Sequence, residues 1–200
     1  MAELALILYL GYLALAFGLR TVIQLHKTGT TGFHGIGGRP GTAEWMAGLG
    51  FAVALIVAGV APVLALLNVI EPIATLDTDA VRAAGLVMTA AGIAATLYAQ
   101  VAMGTSWRIG VAPDERTQLI TSGPFALVRN PFFSAMLPTV LGLVLLVPSP
   151  VAVFGLIGLV IALELQVRVV EEPYLLRAQG HDYSDYASRV GRFIPGVGRL

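Results

Sequence analysis

The chain has no cysteine, which excludes disulfides, thiolate metal sites and a cysteine nucleophile. Charge is scarce as well. Charged residues make up 12% of the sequence, against about 25% in a typical soluble domain, and the 12 basic residues balance the 12 acidic ones. With no net charge and no basic run, the chain lacks the electrostatic footprint of a nucleic-acid-binding surface. The three histidines lack metal-ligand spacing, and neither an HExxH helix nor a GxSxG elbow occurs. Proteolysis and metal catalysis therefore find no support, and no metal site is expected. A basic leader is missing too. Met1, Ala2 and Glu3 lack the positive start of a signal peptide, and the apolar run to about Leu25 exceeds a signal core, so it reads as a retained span.

What the chain has in excess is apolar length. Hydrophobic residues reach 56% and mean hydropathy is +0.81, where a soluble domain has about 45–50% apolar residues. Apolar stretches at about 4–25, 45–67, 80–103, 131–147 and 151–167 approach the roughly 20 residues that cross a bilayer core as a helix. The expected fold is all-α: an integral membrane helical bundle of about five transmembrane helices. It forms a single membrane domain over 1–200, with three spans in 1–103 and two in 104–200. The last two stretches are short and joined only by Pro148, Ser149 and Pro150, which predicts a tight helical hairpin. Pro138 removes a backbone donor inside the fourth and predicts a kink there.

Basic residues sort to one side of this arrangement. Arg20, Lys27 and Arg39 flank the first loop, Arg108, Arg116 and Arg129 the third, and Arg168, Arg177, Arg189, Arg192 and Arg199 follow the last span. Arg82 falls on the other side, beside Glu71, Asp77 and Asp79. The positive-inside rule then predicts an outer N-terminus and a cytoplasmic C-terminus, with a prokaryotic plasma membrane as the expected location. Small residues such as Gly48, Gly59, Gly85 and Ala91 in the spans suit close helix packing. The glycine-rich loop 28–42 lacks the Lys-Ser/Thr ending of a phosphate loop. It reads as a connector, with a lid over a cytoplasmic site as the alternative.

Two polar constellations interrupt the apolar pattern. The first runs from Leu119 to Phe133, where Gly123 and Pro124 mark a turn and Arg129 and Asn130 precede a helix starting at Pro131. Proline suits that first turn, whose backbone amides are then free to bind an anionic group such as a carboxylate. The second comprises Glu164, Arg168, Glu171 and Glu172, spaced at three- and four-residue steps that put them on one helical face. Two adjacent carboxylates with one arginine leave surplus negative charge, suited to a cationic or hydroxyl-rich ligand. Trp107 and Arg108 form an amphipathic pair that fits interfacial anchoring. Tyr183 and Tyr186 stand three apart in the tail, where interfacial anchoring of a solvated helix also accounts for them.

At these residues the chain resembles the isoprenylcysteine carboxyl methyltransferase and phospholipid methyltransferase superfamily of integral membrane enzymes. The resemblance spans about 104–195 and rests on Leu119, Ile120, Gly123, Phe125, Arg129, Asn130, Pro131 and Phe133. It continues through Glu171, Glu172, Leu175, Gly180, Tyr183, Tyr186, Ile194 and Pro195. It implies a cytoplasmic C-terminal pocket in 104–200 for S-adenosylmethionine, lined by Thr117, Gln118, Leu119, Ile120, Phe125, Arg129, Asn130, Pro131, Phe132, Phe133, Glu171 and Tyr183. Arg168 and Glu172 are its implied catalytic residues, with Arg168 binding or polarising the acceptor. Asn130 stands where the family commonly has histidine, Phe125 and Phe133 where it has tyrosine, and Ala135 where it has glycine. The implied activity is methyl transfer to a lipophilic small molecule or lipid, with membrane lipids as neighbours and no nucleic-acid partner. A nicotinamide-dependent membrane reductase related to sterol reductases, and a non-catalytic membrane scaffold or lipid-binding protein, are the alternatives.

Overall fold

The computed structural model describes residues 1–33, 35–108, 110 and 119–200. Apolar runs long enough to cross a bilayer must satisfy their own backbone, which selects helices. Helix α1 is Ala2–Thr28, α2 is Ala43–Leu66 and α5 is Pro150–Gln179. Helix α3 is Asp79–Met103, α4 is Pro131–Leu146 and α6 is His181–Arg189. Four of the helices are long and apolar enough to cross a membrane. With 16 residues, α4 reaches only about 24 Å at 1.5 Å per residue, short of the roughly 30 Å core. Among the described residues, the five apolar helices expected from the sequence are thus four of spanning length and one shorter. The last span is not the short stretch 151–167 expected from the sequence, because α5 continues for 30 residues and carries Glu171 and Glu172 in the same helix.

Helix starts follow local chemistry. The hydroxyls of Thr42, Thr78 and Ser149 accept from Trp45 N, Val81 N and Ala152 N, each at 3.3 Å, satisfying amides that lack an intrahelical partner. Helix α3 packs most extensively on α4, and glycines set that contact. A Cβ on Gly92 would meet the backbone of Thr139, and one on Gly142 the backbone nitrogen of Thr89. The hydroxyls of Thr89 and Thr139 turn back onto their own helices, bonding Gly85 O at 2.9 Å and Ala135 O at 2.8 Å. Thr89 also reaches across to Thr139 O at 3.5 Å, so these buried hydroxyls are satisfied chiefly within their own helices. Helix α2 packs on α5 and α1, and Tyr9 occupies the notch left by Gly59. Large apolar side chains such as Ile7, Ile56, Val87 and Phe154 lie exposed on the outside, as a lipid-facing surface requires.

The helices alternate in direction. The ends of α1, α3 and α5 and the starts of α2 and α4 gather at one end of the bundle. There, α1 and α5 each open into a wide π turn, over Ala14–Leu19 and Gln166–Glu171. Such turns displace side chains from the regular helical step and recur at functional sites.

Candidate functional site

A cavity of about 450 Å³ opens at this end of the bundle. Both π turns feed it: Phe17 comes from the first, and Gln166, Val170 and Glu171 from the second. The wall is mostly apolar, with a few convergent polar groups, as small-molecule sites commonly are. Thr117 and Gln118 lie outside the described residues. The other residues expected to line a pocket all face this cavity: Leu119, Ile120, Phe125, Arg129, Asn130, Pro131, Phe132, Phe133, Glu171 and Tyr183.

The segment before α4 is fixed by the chain's last residues. Val128 pairs with Gly191 in a parallel bridge, Arg129 N donates to Gly191 O at 2.8 Å, and Asn130 N donates to Arg192 O at 3.1 Å. Gly191 must be glycine here, since a Cβ would collide with the returning Ile194–Val197 turn. The Asn130 amide also donates to Arg192 O, at 3.2 Å, so it does not cap α4. The first-turn amides of Phe132 and Phe133 are left without a side-chain cap. An anion at the mouth of the helix would satisfy them.

Behind this wall lies a buried ion cluster. Arg129, 5% exposed, donates to Ala187 O at 3.0 Å, Val190 O at 2.6 Å and Gly198 O at 3.0 Å, and forms an ion pair with Glu172. Arg192 grips the same carboxylate as a fork, Nε to Oε1 at 2.8 Å and Nη2 to Oε2 at 2.9 Å. Hydrogen bonding to Glu172 holds Arg192 above its usual pKa. This bidentate geometry is what guanidinium offers and ammonium does not. Arg129 Nε has no hydrogen-bond partner among the described residues.

Three expectations change here. Glu164, Arg168, Glu171 and Glu172 do not share one face. Arg168 bonds Glu164 at 2.5 Å on an exposed surface and is not part of the cavity wall. Glu171 faces the cavity, whereas Glu172 sits in the ion cluster behind it. The π turn over Gln166–Glu171 lies between Arg168 and the glutamates and changes the angular step that α-helical spacing assumes. The surplus of negative charge also disappears, because two arginines hold Glu172. Glu171 in turn has the Gln166 side chain and the Arg108 guanidinium as neighbours.

Trp107 is not an interfacial anchor. It is 2% exposed and forms cavity wall, while Arg108 lies over the Tyr174 ring at 5.4 Å. The loop 28–42 is more than a connector, since Phe33, Ile36 and Gly37 contribute to the same wall. Tyr183 and Tyr186 pack edge-to-face with centroids 6.2 Å apart, and Tyr186 donates to Phe125 O at 2.6 Å. Burial pushes the Tyr183 phenol up to about 12, so it stays protonated at neutral pH.

The sequence reading missed the opposite wall. Glu44, Gly48, Phe51, Ala52 and Leu55 line the cavity from α2. Their spacing of four, three, one and three residues is one helical stripe, a signal hidden because the span beyond Glu44 is apolar on every face. Edge-to-face contacts join the two walls, Phe51 to Phe133 at 6.3 Å and Phe17 to Phe132 at 6.0 Å.

A family model described as phospholipid methyltransferase matches residues 80–182, just over half of the chain. No curated protein and no solved structure matches. The matched stretch takes in α3, α4, α5 and most of the polar wall, but neither α1 nor α2. The chain therefore belongs to the phospholipid methyltransferase family and is a membrane methyltransferase.

Proposed function

We propose that the cavity binds S-adenosylmethionine and that the protein methylates a lipophilic or membrane-embedded acceptor at the cytoplasmic face, with its N-terminus outside. One observation carries this reading. Of twelve residues assigned to the cofactor by resemblance, two lie outside the described residues and the remaining ten line one cavity. The donor set fits the group. Uncapped amides at Phe132 and Phe133 suit a carboxylate. Glu171 suits hydroxyls or a cation, and the faces of Phe125, Phe132 and Phe133 suit a sulfonium.

When bound, the cofactor supplies an activated methyl group on a cationic sulfur. The chain's contribution is to orient and to exclude water. The polar wall fixes one reactant, while the apolar stripe of α2 and Phe17 keep the reacting region dry. Asn130 cannot titrate, and among the described wall residues no histidine offers a base. An acceptor that is already a good nucleophile suits this site. Arg168, paired with Glu164 outside the wall, has no part in this reading of the chemistry. Glu172 acts through Arg129 as a positioning residue.

The test is labelled methyl transfer from S-adenosylmethionine into extracted lipids, using purified protein, with NADPH binding measured in parallel. Label in a lipid product that disappears in Glu171→Gln supports the reading. Binding of NADPH without S-adenosylmethionine would sink it in favour of a reductase.

A further inference from the structure

Arg20 is a buried cation on α1, outside the stretch matched by the family model. A charge at that depth in a span is costly and must be held by partners. Its Nη2 donates to Gly104 O, and its guanidinium lies over the Trp107 ring, 5.1 Å from the centroid. One turn further along the same helix face, Gln24 Nε2 donates to Thr105 O at 2.7 Å. Together Arg20 and Gln24 grip residues 104–107 where the chain leaves α3. Gly104 allows this grip. With φ at +55° it ends the helix, and the carbonyls of Gly104 and Thr105 meet side-chain donors instead of continuing the ladder.

The contact reaches the cavity in two steps. Trp107 forms wall, and the space for its ring edge exists because Gly32 has no side chain. A Cβ there would lie 3.0 Å from Trp107 O and 3.3 Å from Trp107 Cε3. Arg108 follows immediately, over Tyr174 and beside Glu171. We propose that Arg20 is a positioning residue for the cofactor site, fixing Trp107 and through it the Arg108 and Glu171 edge of the wall. The proposal rests on the S-adenosylmethionine reading above. It gives α1 a defined role: a helix outside the family's matched region sets how closely the matched wall approaches its ligand.

The sequence has two tryptophans, so Trp45→Phe leaves Trp107 as the sole reporter, and Trp45 is not part of the cavity wall. In that background, S-adenosylmethionine is titrated in detergent micelles against tryptophan emission, for the parent, Arg20→Lys and Arg20→Met. Helical circular dichroism is followed alongside. Arg20→Met is expected to shift Trp107 emission and weaken binding about tenfold, with helix content unchanged, as loss of a desolvated cation–π contact implies. Arg20→Lys keeps a cation near the ring but loses the planar stacking, and should bind more weakly than the parent and more tightly than Arg20→Met. Equal affinity in Arg20→Met and the parent overturns the Arg20 role alone. So does an Arg20→Lys variant as impaired as Arg20→Met, with helix lost in both, since that marks a merely structural arginine. Failure of the parent to bind overturns the cofactor reading and this proposal together.

Discussion

Glu171 and Glu172 are neighbours in the chain and belong to two different regions of the molecule. Glu171 is on the cavity face, among aromatic rings, the uncapped start of α4 and the Arg108 guanidinium. Glu172 is on the far side of the same wall, clamped by Arg129 and Arg192 and covered by the last ten residues. One region presents incompletely satisfied groups to a space of about 450 Å³. The other satisfies its carboxylate from two sides. A wall that must bind a ligand is kept rigid by an ion cluster that binds none. Pre-organisation of this kind lets binding proceed without first ordering the groups that bind.

Substitutions can separate the two regions. The largest effect is expected from Glu172→Ala, which leaves two buried guanidiniums facing each other without their carboxylate. Breaking a buried pair typically costs about 3–5 kcal/mol. The melting temperature should fall, and residues 190–200 should become protease-sensitive as the tail loses its anchor. A Glu172→Ala protein that melts like wild type, with its tail protected, contradicts the assignment of the cluster. Next comes Glu171→Gln, which keeps shape and removes charge on the cavity side. Stability should change little, while S-adenosylmethionine affinity falls about 10- to 100-fold, the scale of a hydrogen bond to a charged group.

Asn130→Ala sits on the boundary. It removes the Asn130–Arg192 carbonyl bond and should cost about 1 kcal/mol of stability, measurable by chemical denaturation. Arg168→Ala lies outside both regions. Its partly exposed pair with Glu164 is worth under about 1 kcal/mol, and cofactor affinity should match wild type. A large affinity loss there would restore the single helical face that the spacing implied. The mildest perturbation is alkaline pH. Tyr183 is raised from 10.0 to about 12 by burial, so its folded value lies above the unfolded one. Its contribution to stability is complete below pH 10 and is lost between pH 10 and about 12. A stability curve measured across that window should be flat up to its lower edge, with Tyr183→Phe reducing the fall above it.

Much of this arrangement was legible in the sequence. Apolar length gave the helices, because a bilayer admits little else. The Pro131 helix start and the ordered blocks from Leu119 to Tyr183 gave one wall of the cavity. What stayed hidden follows from three physical causes. The π turn at Gln166–Glu171 breaks the periodicity on which the shared face of Arg168 and the glutamates depended. Beyond Glu44, helix α2 is apolar all round, so its cavity stripe from Gly48 to Leu55 carries no contrast. Arg192 lies in a polar tail where an arginine reads as solvated, and only the fold brings it back to Glu172. Trp107 and Arg20 were obscured the same way, since each looks like an interfacial or topogenic residue until the turn after α3 brings them together.

The central claim is that the cavity face, and not the ion cluster, recognises S-adenosylmethionine. Isothermal titration of the cofactor into purified wild type and Glu171→Gln, both shown by circular dichroism to keep their helices, tests it most directly. Saturable one-to-one binding by wild type and binding weakened at least about tenfold in the variant are the predicted result. Equal binding by the two proteins, or none by folded wild type, would contradict it.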